Sequence, residues 1–284
     1  MITEPIYEVE SAKRLFKDSI ESIFPKKLVS YAFLTGPFTF GSANHDIDIV
    51  VVLDDKLISE EEFKIYTEKV KRFSEKYLRI HKSLGYKPDL DFPSDVVTVS
   101  QIKDAIDGRG FDINNGKLDL YEITSKEGFL SPDVDYRVYL WELITSNNGF
   151  IIGNFSKFTI DSISALRSII LFTLTKRDNN EVSLRDIRDK IFRIAGLDER
   201  YSLMSESLEP LIEHVLSDLV LENFLSRYNL TGDIQNFEIN KVNLGIWEKS
   251  IISKHIERKW KGKPIFGSWD TLRDNAKRFL REWD

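Results

Sequence analysis

The chain contains no cysteine. Structural disulfides and thiolate metal sites are therefore excluded, although the absence does not fix the compartment. No uninterrupted apolar run approaches the roughly 20 residues of a membrane span. The opening residues Met1-Ile2-Thr3-Glu4-Pro5 lack the basic-then-apolar order of a secretory signal. A soluble, cytoplasmic protein without membrane association is the expectation. Basic residues are in deficit, 40 against 46 acidic ones, for a formal net charge of -6. That argues against a protein that coats long nucleic acid, because phosphate contacts need a basic surface; a local basic patch is still allowed. Repeats of solenoid length and low-complexity tracts are also missing. So are a Walker loop, a Rossmann fingerprint and a His-Glu-x-x-His motif.

What is present is apolar bulk. Hydrophobic residues make up 42% of the 284 positions, with 19 Phe, 10 Tyr and 5 Trp. The length suits two domains and the aromatic content supplies a core. Residues 8–24 read as a helix with Leu15, Phe16, Ile20 and Ile23 on one side, ended by Pro25. Leu28 to Thr35 is an apolar, β-prone run that stops at the Gly36-Pro37 turn, and Ile47 to Leu53 is a second. Residues 59–82 form an amphipathic helix. Ser59 is its cap, Glu60, Glu61 and Glu62 fill its first turn, and Gly85 is its stop. A third strand is expected around Pro88–Pro93, and Val96–Val99 is a further β-prone piece. Residues 104–128 read as loop and 133–146 as helix. Beyond about 156 the periodicity is helical, with Ser183 and Thr271 as N-caps. The expected fold class is α+β: a small mixed β-sheet flanked by helices in 1–155, then a mostly helical domain in 156–284.

The feature that carries chemistry is His45-Asp46-Ile47-Asp48-Ile49-Val50-Val51-Val52-Leu53. On a strand, residues i and i+2 share a face, so Asp46 and Asp48 project together while Ile47 and Ile49 point into the core. Adjacent carboxylates repel unless a cation lies between them. Mg²⁺, a hard cation that takes one or two carboxylates and fills its shell with water and phosphate oxygens, suits the pair. The commoner use of such a pair is plainer: one Asp caps a turn and the other is solvated.

The order of an apolar strand, a glycine turn, an Asp-apolar-Asp strand, a long helix and a later acidic strand resembles the polymerase-beta-like nucleotidyltransferase superfamily. The resemblance covers about residues 28–95. It implies two Mg²⁺ ions, three carboxylates and attack of a hydroxyl on the α-phosphate of a nucleoside triphosphate such as ATP. Asp46 and Asp48 then hold metal. The third carboxylate, which also activates the acceptor hydroxyl, is Asp91, with Asp89 as the alternative ligand. The nucleotide-binding residues are Gly36, Thr39, Gly41 and Ser42.

The sequence departs from the family at the turn. Where the family has Gly-Ser, this chain has Gly36-Pro37, and proline has no N–H to give a phosphate. The hydroxyl of Thr39 or Ser42 is the available substitute. Aligning Gly41-Ser42 with the motif instead leaves a spacer shorter than the family uses.

Other positions have two readings each. His45 is a phosphate contact or a turn residue. Arg109, between Gly108 and Gly110, is a mobile phosphate-binding arginine or a surface turn. Glu142 is an acceptor-side base or a solvated helix acid. The basic run Lys254, His255, Arg258, Lys259, Lys261 and Lys263, with Trp260, contacts RNA or is a solvated face. The expected acceptor is a small molecule, an aminoglycoside-like antibiotic being the family-based choice. Transfer to tRNA or protein, or nucleotide binding without transfer, are the alternatives.

Overall fold

The computed structural model describes residues 4–40, 47–88, 95–120, 134–146, 148–194, 202–231, 234–262, 274–275 and 277–281. The expected class is found: a mixed sheet flanked by helices, followed by a largely helical region. The chain divides into two compact units, each built from separate stretches. The first comprises Met1–Lys103, Thr145–Ile160 and Lys261–Asp284; the second comprises Asp104–Ile144 and Asp161–Trp260. Sequence periodicity suggests one boundary near 155. The contacts instead interleave the two, because strand pairing returns 145–160 to the first unit.

The first unit holds α1 (Glu4–Ile23), β1 (Val29–Thr35), β2 (Asp48–Leu53), α2 (Glu60–Leu84), β3 (Asp95–Thr98) and α3 (Val99–Asp104, whose last residue falls in the second unit). A short strand, Phe150–Gly153, completes the sheet in the order β3-β2-β1 and then this strand. β1 and β2 are antiparallel, with Thr35 opposite Asp48; β2 and β3 are parallel, with Val50 opposite Asp95. β3 is the β-prone piece expected at Val96–Val99, begun one residue earlier at Asp95; of the strand expected around Pro88–Pro93, Asp89 to Pro93 lie outside the described residues.

Side-chain alternation explains the packing. Ala32, Leu34, Ile49, Val51, Leu53 and Val96 share one face and pack with Phe16, Ile20, Phe24, Val70, Phe73 and Tyr77 of α1, α2 and the segment between α1 and β1. The opposite face carries an aromatic group, with Phe158 against Tyr31 at 5.7 Å, Phe33 at 5.1 Å and Phe150 at 5.6 Å. α2 has the expected ends. Ser59 and Glu62 form a reciprocal capping box, and Gly85 closes the helix in the left-handed conformation.

The second unit contains the hairpin β4 (Phe111–Asn114) and β5 (Lys117–Leu120) in a region that reads as loop. α4 (Val134–Ile144) follows; with Phe150–Gly153 numbered β6, the next elements are α5 (Phe155–Thr175), β7 (Glu181–Ser183), α6 (Leu184–Ile194), α7 (Ser202–Leu221), β8 (Leu225–Thr231), β9 (Ile234–Ile239) and α8 (Lys241–Ile256). From α5 to β9 the order is helix, strand, helix, helix, strand, strand, with a sheet ordered β7-β9-β8. α7 carries four acids and no Lys or Arg. Ser183 caps α6 as expected: its hydroxyl accepts the Asp186 N–H at 3.0 Å, and the Asp186 carboxylate accepts the Ser183 N–H at 3.2 Å. Thr271 lies outside the described residues. α5 has the length and hydropathy of a membrane span, with 56% of its apolar window buried within the protein.

Candidate functional site

The candidate site gathers where β1 ends and β2 begins. Thr35 and Asp48 face each other across the two strands. After Thr35 the chain turns at Gly36, whose φ is +74°. Glycine is required there twice over. A β-carbon would be strained at that φ, and it would stand 2.9 Å from Asp48 Oδ2. The carboxylate lies against bare backbone.

Pro37 has a structural explanation. It opens the 3-10 turn Pro37–Phe40, a position whose N–H has no partner within the turn. Phe38 anchors the turn; it is buried and meets the Tyr86 ring edge-on at 5.3 Å. Tyr86 donates to the Glu8 carboxylate, and burial together with that acceptor pushes its hydroxyl up to about 12. The Thr39 hydroxyl donates to the Gly36 carbonyl at 2.8 Å, and the Thr39 N–H reaches the same oxygen at 3.2 Å. Thr39 thus closes the turn on itself.

A third hydroxyl arrives from far along the chain. Thr145 Oγ1 is 2.9 Å from Thr35 Oγ1. Gly149 brings it there: its carbonyl accepts the Leu34 N–H at 2.8 Å, and a β-carbon on Gly149 would stand 1.9 Å from the Leu34 oxygen. Gly149, with no β-carbon to clash, is what lets this part of the chain lie against β1.

His81 of α2 holds the strand from behind. It is fully buried, and its Nε2 accepts the Ile47 N–H at 3.0 Å. Nδ1 lies 3.1 Å from the Tyr77 carbonyl, which accepts only, so Nδ1 carries the proton. Burial lowers the ring's pKa to about 4, partly opposed by that carbonyl. The neutral ring fixes the residue immediately before Asp48.

Asp95, at the head of β3, is a carboxylate that the sequence reading passed over. Val50 shares a face with Asp48 and pairs with Asp95, so both aspartates lie on the same side of the sheet. Strand spacing puts their Cα atoms roughly 8 Å apart. Asp95 is 6% exposed and accepts the Val96 N–H at 2.7 Å. The signal was an acid preceding a β-branched run, Asp95-Val96-Val97-Thr98, which repeats the pattern of Asp48-Ile49-Val50-Val51-Val52.

Asp46, Gly41, Ser42 and His45 lie outside the described residues, as do Asp89 and Asp91. Of the expected site, Gly36, Thr39 and Asp48 are placed, and they come together. Among the described residues no group of three or more acidic or histidine side chains is arranged to hold a metal ion. This corrects the expectation of a magnesium-binding site with two ions on Asp46, Asp48, Asp89 and Asp91. Only Asp48 of these four is described. Its neighbour Asp95 stands one strand over and one pleat further on, with an oxygen committed to backbone.

Arg109 and part of the basic run make contacts within the second unit. Arg109 is held in place: its guanidinium lies 3.9 Å from the Tyr136 ring centroid, donates to the Tyr136 hydroxyl at 2.8 Å and is 3.8 Å from Asp104. In the basic run, the Lys254 ammonium donates to the Asp107 carbonyl at 3.2 Å, and His255 Nε2 lies 3.1 Å from the Gly108 carbonyl. Lys259 pairs with Glu257. Glu142 sits half-buried on α4.

No family model, no curated protein and no solved structure matches the chain.

Proposed function

We propose that the protein is a nucleotidyltransferase that moves a nucleoside monophosphate from a nucleoside triphosphate to a hydroxyl of a small cationic acceptor, an aminoglycoside-like antibiotic being the type. The observation that carries the reading is the Gly36–Asp48 contact, a carboxylate laid against a glycine turn at the junction of two paired strands. Asp48 and Asp95 on one sheet face favour a cationic acceptor. In the reaction the acceptor oxygen bonds to the α-phosphorus. The bond from that phosphorus to the oxygen bridging the α- and β-phosphates breaks, and pyrophosphate leaves with that oxygen. Asp48 takes the hydroxyl proton. Gly36 and His81 position Asp48.

The test is transfer from each α-labelled nucleoside triphosphate to pools of aminoglycosides, tRNA or protein, with divalent cation added or chelated. General-base removal typically costs 10²–10⁴-fold, so Asp48→Asn should lower transfer by at least ~100-fold while the melting temperature holds. Undiminished transfer in that variant removes Asp48 from the chemistry. Labelling of tRNA or protein alone would move the acceptor class. A second reading, nucleotide binding without transfer, is favoured by Pro37 at the turn, and saturable triphosphate binding with no labelled product would establish it.

A further inference from the structure

α2 carries Lys69, Arg72, Lys76 and Arg79, at successive spacings of three, four and three. With 3.6 residues per turn these four fall within an arc of about 80° and extend over about 15 Å. They form a single cationic stripe. It lines a groove of about 330 Å³ whose other wall is Ser22 and Ile23 at the end of α1. Glu75 is the one carboxylate among the lining residues.

The stripe sets like charges three and four residues apart, which repel, and Glu68 and Glu75, four residues before Arg72 and Arg79, close no ion pair with them. It is also poorly neutralised. Among the described residues no carboxylate lies within ion-pair distance of Arg72, Lys76 or Arg79. Lys76 reaches the Ser22 hydroxyl, and the Lys69 ammonium lies 4.7 Å from the Tyr66 ring centroid. Arg72, Lys76 and Arg79 are solvent-exposed. The whole chain has a formal charge of -6, and α7 has no Lys or Arg at all, so the concentration of positive charge on α2 is local.

We propose that this groove binds the phosphate backbone of a single nucleic-acid strand. Cations 4.5–6 Å apart along the helix axis, at about 1.5 Å per residue, present a row of charges to a row of phosphates. Ile65 lies one turn before Lys69 in the same arc and is 56% exposed, an apolar surface for a base. The concavity between two helices admits a strand, whereas a bilayer presents a plane to its rim. Contacts of this kind are independent of base sequence. The inference does not depend on nucleotidyl transfer, because it is read by binding alone with no nucleotide present.

The experiment measures fluorescence anisotropy of short, mixed-sequence, labelled single strands of RNA and of DNA with the full chain. Four phosphate contacts give a salt slope of about -2.8, so affinity should fall on the order of 50-fold between about 50 and 200 mM salt. Neutralising Arg72→Gln, Lys76→Gln and Arg79→Gln together should lower affinity at least ~10-fold at the lower salt and flatten the slope toward about -0.7. Circular dichroism establishes that this variant is folded; if it is not, the single Lys76→Gln variant should still flatten the slope by about 0.7. Arg72→Lys with Arg79→Lys should retain binding. Absence of strand binding at the lower salt, or binding unchanged by neutralisation, overturns the proposal. So does stronger binding to phosphatidylserine vesicles that the neutralised variant loses, which would assign the groove to a membrane surface.

Discussion

The Cα of Gly36 faces the Asp48 carboxylate so closely that a methyl group there would stand 2.9 Å from Oδ2. This contact couples the turn to the strand, and the coupling can be measured. A non-glycine residue held at positive φ costs on the order of 1–3 kcal/mol before any clash. Gly36→Ala should therefore lower stability by at least that much. Asp48→Ala removes the obstructing group. The double variant should then lose less than the sum of the singles, by about 0.5–3 kcal/mol in chemical denaturation. Strict additivity would show that the two residues do not touch.

His81 makes stability depend on pH in a defined window. Its folded pKa, about 4, lies below the ordinary value of 6.5 because the ring is buried. Between those values the unfolded chain binds a proton that the folded protein does not, so stability falls as the medium is acidified. The loss begins near pH 6.5 and is complete below about pH 4, amounting to on the order of 3 kcal/mol. Urea titrations at successive pH values should show this slope. His81→Gln should be less stable near neutrality and show a shallower slope between those limits. An unchanged slope would mean that His81 is not the group responsible.

Asp95 is predicted to matter more for turnover than for folding. Asp95→Asn keeps an oxygen to accept the Val96 N–H, a bond of 2.7 Å, and removes the charge from the face shared with Asp48. Stability should change by less than about 1 kcal/mol, while KM for a cationic acceptor should rise several-fold and kcat change little. An unchanged KM would take Asp95 out of the site.

Arg109 should behave in the opposite way. Arg109→Ala removes both a contact with the Tyr136 ring and a hydrogen bond to its hydroxyl, a loss of about 1–2 kcal/mol. Nucleotide affinity should be unchanged. A weaker Kd for triphosphate at unchanged stability would restore Arg109 to the list of phosphate contacts.

Much of the fold was legible where period and capping agree. Ser59, Glu62 and Gly85 bound α2 as their chemistry dictates, and Ser183 caps α6, because both motifs use only neighbouring residues. The two apolar runs became β1 and β2 for the same reason: alternation and β-branching act locally. Short strands were less legible. Phe150–Gly153 and Glu181–Ser183 have four and three residues, too few for a period to show, and they exist because partners elsewhere accept their hydrogen bonds. The β-prone piece at Val96–Val99 became β3, but that Asp95 heads it on the face of Asp48 is set by its pairing with Val50, a partner distant in the chain.

The same division runs through the candidate site. The sequence by itself determined that a glycine turn precedes an acid-headed apolar strand, and that Asp48 faces away from the core; strand geometry requires no more than the two-residue repeat. Only the tertiary structure decided what stands around that acid. Thr145 reaches Thr35 because Gly149 can touch Leu34, His81 supports Ile47 from a helix, and Asp95 joins the face through a parallel pairing. Each of these is a contact between residues distant in the chain, set by packing and hydrogen-bond pairing that no local pattern encodes.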